Sequence, residues 1–249
     1  MSAVLPCLTI ITARGGSKGL AGKNVRPLAG LPLLVHSLRC AARVPRLTRV
    51  IVSTDSPEIA EIARHHGGDV PFLRPPELAR DDTPSMPVLT HALAEIERLE
   101  NRRYASVLLL EPTSPGRLPQ DIEGALDRLE AAPDATMVLG CSEPTFNPYW
   151  VGVVEDKGRL EMVFPEMDKF KRRQDVPRFL RINGAIYLWR ANFIRAGQDV
   201  WQQGKTLALE MPEARSFSID DLYEFQVAEL MISSGMVKLP WLDARDGAA

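Results

Sequence analysis

Along its first 140 residues the chain alternates short apolar runs with longer helical patterns, and this alternation limits the possible folds more than any other feature. Leu8 to Ala13, Arg49 to Thr54, Val70 to Leu73, Ser106 to Leu110 and Thr136 to Cys141 read as strands. Leu31 to Val44, Pro57 to His66, Ser85 to Glu100 and Pro119 to Ala131 read as helices. Val107-Leu108-Leu109-Leu110 is apolar at every position, as a strand buried on both faces must be. The rhythm predicts an α/β fold built on a mostly parallel, Rossmann-like sheet with helices on both sides. Ligands of such sheets sit outside the carboxyl ends of the strands, so the polar residues after each run are the first to consider.

After Cys141 the rhythm changes. Trp150 to Val154 and Arg159 to Val163, parted by Glu155-Asp156-Lys157-Gly158, read as a β-hairpin. A polar stretch from Pro165 to Arg181 follows, then the apolar run Gly184 to Trp189. Ser216 to Ile219 and the helical pattern Leu222 to Met231 return the chain to the main layer. We expect a single domain over residues 1–249, with residues 140–182 projecting from it as an insert and Asp243 to Ala249 forming a loose tail. No internal repeat or low-complexity segment occurs.

With 30 Lys and Arg against 32 Asp and Glu, the net charge is −2, which argues against nucleic acid or an anionic membrane as partner. The three cysteines, Cys7, Cys40 and Cys141, form neither a C-x-x-C pair nor a disulfide framework. This usage, the lack of a leader-like start and the lack of a long apolar span lead to the expectation of a cytoplasmic protein. His36, His65, His66 and His91 lie on helical patterns or turns and have no zinc-ligand spacing.

The most informative segment follows the first strand: Ala13-Arg14-Gly15-Gly16-Ser17-Lys18-Gly19-Leu20-Ala21-Gly22-Lys23-Asn24. Four glycines let backbone N–H groups face a shared concavity, while Arg14, Lys18 and Lys23 add three positive charges. Such a loop suits a polyphosphate; the alternative is a glycine-rich turn with solvated basic residues. A P-loop, G-x-x-x-x-G-K-[ST], fails twice, with Ser17 where its first glycine belongs and Asn24 where its hydroxyl belongs. The dinucleotide pattern G-x-G-x-x-G has no match in register. Gly15-Gly16-Ser17-Lys18-Gly19 does match the G-x-S-x-G elbow of hydrolases, although every histidine lies within the first 91 residues, against the order Ser, acid, His that such triads need.

The whole loop resembles the signature of the acylneuraminate cytidylyltransferases, the CMP-sialic acid synthetase family. Val52-Ser53-Thr54-Asp55, Arg74-Pro75-Pro76-Glu77-Leu78-Ala79 with Asp81, Pro112-Thr113-Ser114-Pro115, Asn183-Gly184-Ala185-Ile186-Tyr187 and Ile219-Asp220 follow in the family's order. The likeness runs from about residue 8 to 231. It implies an α/β nucleotidyltransferase with a small projecting dimerisation subdomain, working as a homodimer. The implied reaction joins CMP from CTP to a nine-carbon 2-keto sugar acid, a nonulosonic acid, and releases pyrophosphate with Mg²⁺. By this resemblance Arg14, Gly15, Gly16, Ser17, Lys18, Lys23, Asn24, Arg74 and Ser85 bind the nucleotide, and Arg14, Lys23 and Asp220 are catalytic. Glu111, Arg173, Tyr187 and Trp201 fall on the sugar side, and Asp220 is the metal ligand. Taken without the resemblance, Arg74 is a solvent-facing arginine, Lys169 to Arg173 a solvated basic face, Trp201 a core residue, and Asp220 with Asp221 a helix cap.

Three positions depart from the family pattern. Its D-x-D metal site here reads Ser218-Ile219-Asp220, so a neutral hydroxyl replaces one carboxylate. On a strand, Ser218 and Asp220 share a face and Asp221 points away. The usual L-L-Q-P-T-S-P reads Leu109-Leu110-Glu111-Pro112-Thr113-Ser114-Pro115, so an amide becomes a carboxyl group. Trp150 stands where some relatives carry a lysine. All three fall on the sugar and metal side, which leads to the expectation of a sugar other than N-acetylneuraminate, such as a legionaminic acid-type compound.

Overall fold

The computed structural model describes residues 6–16, 19–197 and 204–243, with the side chains of all of these but Met167, Asp168 and Arg173. In chain order the elements are β1 (Cys7–Thr12), the two-residue strands β2 (Pro27–Leu28) and β3 (Leu31–Pro32), α1 (Leu33–Ala41), β4 (Arg49–Ser53), α2 (Pro57–His65) and α3 (Ser85–Glu100). There follow β5 (Ser106–Leu109), α4 (Pro119–Ala131), β6 (Met137–Ser142), the helical turn α5 (Pro148–Val151), β7 (Val153–Asp156) and β8 (Arg159–Met162). The long strand β9 (Arg181–Arg190), α6 (Ala191–Ala196), β10 (Thr206–Glu210) and α7 (Leu222–Ser233) complete the series.

The main sheet has the order β10-β6-β9-β5-β1-β4. β9 runs antiparallel to both its neighbours, while the β10–β6, β5–β1 and β1–β4 pairs are parallel. The expected α/β architecture with a mostly parallel sheet is therefore present. The side-chain period of two divides each strand between two cores. Leu8 and Ile10 of β1, with Val107 and Leu109 of β5, meet α3 and α6 on one face. Cys7 and Ile11, with Leu108, meet α1, α2, α4 and α7 on the other. All three cysteines are buried free thiols, and burial pushes Cys40 up to about 12.

Local chemistry fixes the element ends. Ser56 Oγ accepts from Ile59 N at 3.3 Å and Pro57 opens α2, whose first amide needs no partner. Asp221 accepts from Glu224 N at 2.8 Å while Glu224 reaches back to the Asp221 amide, a capping box that starts α7. The β7–β8 turn has positive φ at both central residues, 50° at Lys157 and 79° at Gly158, the geometry that closes two-residue hairpins.

Three expectations are corrected, and one strand is added. Val70 to Leu73 is not a strand: Pro71 interrupts it with no N–H to donate, and one bridge, Thr54 to Leu73, is all that forms. Trp150 lies in the turn α5, capped by the Asn147 side chain on Tyr149 N at 3.0 Å, so the hairpin begins at Val153. Ser216 to Ile219 is not a strand either. Arg181 and Asn183 reach across to the Ser216 carbonyl at 2.6 Å and its hydroxyl at 3.0 Å, and Ile219 N donates to Thr113 O at 2.8 Å. Side chains thus take the place of a ladder. Thr206–Glu210, in turn, forms an edge strand that its sequence did not announce.

Candidate nucleotide and sugar site

A cavity of about 340 Å³ opens beyond the carboxyl ends of β1, β4 and β5. Its walls bring together Arg14, Lys23, Asn24, Arg74, Ser85, Glu111, Ser218 and Asp220, residues separated by up to 206 positions in sequence. Thr12, Arg80, Asp81, Thr83 and Thr113 complete much of the polar lining.

The glycine loop leaves β1 and turns back at Gly22, whose φ of 65° suits a residue without Cβ. A Cβ on Gly19 would stand 2.2 Å from the carbonyl oxygen of Asp220, so the loop lies directly on the backbone ahead of α7. Lys23 spans the same contact: its ammonium donates to Ile219 O at 2.8 Å and to Asp220 Oδ1 at 3.0 Å. The Asp220 side chain is 73% exposed, which leaves its other oxygen open to the cavity, whereas Asp221 is occupied in capping α7. Arg14 pairs with Asp81 at 2.8 Å, and Gly15 N donates to Asp55 Oδ1 at 3.0 Å. Asn24 is buried and donates to the Arg14 carbonyl at 3.0 Å, tying the two ends of the loop together.

Arg74 enters from the loop after α2. It is buried, donates to the carbonyls of Ser53 and Leu78, and leaves Nε without a partner. Burial lowers its pKa; nearby Asp55 opposes that shift and Arg14 adds to it. Arg74 lines the cavity, and its unpartnered Nε is an unmet donor buried within the wall.

On the far wall the Glu111 carboxyl faces the cavity with no hydrogen-bond donor from the protein among the described residues. Burial pushes its pKa above the ordinary range; Arg117 and Lys23 counter this and Asp220 adds to it. Tyr187 on β9 lies beside this wall rather than among the lining residues, stacked on Trp189 with ring centroids 5.7 Å apart. Its hydroxyl is pushed up to about 12 by burial and by the charge of Glu111.

Ser17, Lys18 and Trp201 lie outside the described residues, as does the side chain of Arg173, whose backbone belongs to the helical turn Arg173–Asp175. Gly15 and Gly16 support the loop without lining the cavity. No histidine lines the cavity. His36 is instead buried in the core between Leu28 O and the Trp241 indole.

Sequence reasoning assigned no role to Asp55, Asp81 or Arg117. Asp55 could have been found, because it follows β4 directly where the strand ends face ligands. Arg117 carried no such signal. It is fully buried and donates through Nε to Ala185 O at 2.8 Å, through Nη1 to Ser37 Oγ at 2.7 Å, and through Nη2 to Glu111 O. It thereby joins α1, the Glu111 loop and β9, and burial lowers its pKa to about 10.

Residues 8–224 match the family described as Cytidylyltransferase. A CMP-N,N'-diacetyllegionaminic acid synthase of Legionella pneumophila is 30% identical over 227 residues, 90% of this chain and 95% of that protein. An N-acylneuraminate cytidylyltransferase of Escherichia coli is 30% identical over 221 residues; the match spans 89% of this chain but 51% of that longer protein. A solved CMP:2-keto-3-deoxy-manno-octonic acid synthetase complexed with CTP superimposes with a TM-score of 0.69 over 92% of this chain and 99% of that one. At 18% identity that likeness speaks for the fold alone. Loop, cavity and match extend over the same stretch of sequence: the chain belongs to the cytidylyltransferase family.

Proposed function

We propose that the protein transfers CMP from CTP to a nonulosonic acid and releases pyrophosphate. The observation that carries this reading is the single cavity in which Arg14, Lys23, Asn24 and Arg74 from the nucleotide side face Glu111 and Asp220. The attacking sugar hydroxyl and the α-phosphorus need in-line placement, and the leaving pyrophosphate needs its growing charge neutralised. Arg14 and Lys23 supply that charge, and the fold sets them at the loop after β1. Asn24 and Arg74 hold the cytidine and ribose end, with Ser85 at the start of α3 nearby. The family resemblance assigns the sugar carboxylate to Arg173, the sugar body to Tyr187 and the N-acyl group to Trp201.

The residues fit Mg²⁺ as a substrate-held ion. Among the described residues no group of three His, Cys, Asp or Glu could cage a metal, whereas Asp220 offers an exposed carboxylate oxygen in the cavity that Ser218 also lines. Mg²⁺ binds in this manner, through one or two carboxylates, waters and substrate phosphates. Its chemistry there is charge neutralisation on the phosphates.

Glu111 supports a sugar other than N-acetylneuraminate, and the names of relatives such as the Legionella pneumophila protein support an N,N'-diacetyllegionaminic acid-type substrate. The exposed side chains of Phe146, Val151, Val153, Val154 and Leu160 on the insert support a homodimer joined through that segment. Among the described residues no helix is long and apolar enough to cross a membrane; we place the protein in the cytoplasm.

Pyrophosphate release measured with CTP or GTP, Mg²⁺ and a panel of nonulosonic acids tests base, sugar and activity together. We expect release with CTP and the legionaminic-type acid, and a raised Mg²⁺ requirement in Asp220→Asn. A preference for N-acetylneuraminate would overturn the sugar assignment. Silence with every acid would leave a nucleotide-binding relative without catalysis.

A further inference from the structure

A second cavity, of about 560 Å³, lies at the other end of α3 and is not used by the reaction. Thr90, Leu93 and Ala94 of α3 supply much of its uncharged lining. Around them stand Arg98, Arg102, Arg103 and Arg195, with Glu97 the one acid among the lining residues. A single cation would suffice to complement the carbonyl end of a helix. Four in one concavity, set against the one carboxylate of Glu97, leave three positive charges on a chain of net charge −2, two more than that need.

The arrangement is braced from beneath. The Glu97 side chain is 8% exposed and its oxygens are fully engaged. Oε2 accepts from Arg103 Nη1 at 2.7 Å and Arg195 Nε at 3.2 Å, and Oε1 accepts from Tyr104 N at 3.0 Å and Arg195 Nη2 at 2.5 Å. Glu97 therefore fixes two guanidiniums; Arg195 Nη2 also donates to the Tyr104 carbonyl at 2.7 Å, so Nη1 of Arg195 and Nε and Nη2 of Arg103 are the donors left over among the described residues. Arg102 lies over the Tyr104 ring at 5.5 Å and has no carboxylate partner among the described residues. Arg98 spends one donor on Glu95 at 2.8 Å and is 66% exposed. Planar forks held in place by a carboxylate and a ring lose little freedom when they bind, and their geometry matches phosphate oxygens.

We propose that this cavity is a binding site for a phosphate-bearing small molecule, with Arg102, Arg103 and Arg195 on the phosphate and Leu93 and Ala94 against its organic part. α3 also connects the two cavities, since Ser85 and Val88 in its first turns line the nucleotide site. Sixteen residues at about 1.5 Å each separate the two ends by about 24 Å.

The probe is inorganic pyrophosphate, followed by calorimetry on the full chain. Arg14→Ala, Lys18→Ala and Lys23→Ala together remove the three loop cations of the nucleotide cavity, and in that background we expect one pyrophosphate per chain to remain bound. Adding R102S and R103S, both exposed positions, is expected to weaken that remaining event at least tenfold; the same pair alone leaves turnover unchanged. R102K with R103K retains the charge but loses the forks, and is expected to weaken binding severalfold. Pyrophosphate uptake that survives R102S/R103S, or is unaltered in R102K/R103K, would overturn the proposal.

Discussion

Glu111 is a carboxyl group where an amide would be the simpler choice, and its surroundings decide its behaviour. Burial disfavours its charged form, so folding raises its affinity for a proton. The folded state therefore binds more protons than the unfolded chain between the ordinary glutamate range and the raised value. Through that window stability falls as pH rises, then levels off once Glu111 ionises in the fold as well. Glu111→Gln removes the slope: urea unfolding below the ordinary carboxylate range should give its lowest stability relative to the parent, with a relative gain that grows toward neutral pH. A gap that stays constant with pH would mean that Glu111 does not carry this proton. The same residue marks what a sequence can convey about a site. Its presence after β5 was plain from the strand pattern and the resemblance, whereas its lack of a donor depends on Arg117, which spends Nη2 on the Glu111 backbone carbonyl rather than on the carboxylate. Arg117 meets Ser37 and Ala185 across separations of 80 and 68 residues, and no local spacing encodes such a meeting.

Among the elements, the glycine loop and the segment ahead of α7 work as one unit because nothing but backbone separates them at Gly19. In Gly19→Ala the new methyl would overlap the Asp220 carbonyl, 2.2 Å away, and push Lys23 and Asp220 out of register with the rest of the cavity. Displacements near 1 Å cost about a hundredfold in rate, so pyrophosphate release should fall by about that factor while circular dichroism stays unchanged. Undiminished release would show that the contact yields freely. β1, β4, β5 and β6 were legible because burial on both faces writes apolar runs without alternation. α3 and α4 were legible from their periodicity and ends. Val70 to Leu73 misled because its apolar composition outweighed Pro71. Ser216 to Ile219 misled because its partners are the side chains of Arg181 and Asn183, which no pattern within the segment reveals. Trp150 looked extended until Asn147 and Pro148 were seen to open a helical turn.

For the molecule as a whole, the segment from Phe146 to Leu160 carries a density of exposed apolar side chains that a solitary chain would leave in water, from Phe146 at 57% exposure to Leu160 at 72%. If this surface is the proposed dimer contact, Val154→Glu with Leu160→Glu should shift sedimentation from two chains to one without changing the secondary structure; a parent protein that already sediments as one chain would refute the contact. The division of charge also acts on the scale of the whole molecule. Asp81 on Arg14, Asp220 on Lys23 and Asp55 on the Gly15 amide set a carboxylate against each of these donors. These carboxylates are tethered competitors, present at an effective concentration in the range of millimolar or above. A free phosphate ion that meets one of these groups at a time competes poorly with them. On the proposed function, a triphosphate that engages several at once exchanges with all of them in a single event, so the site favours a nucleotide over the small anions of its surroundings.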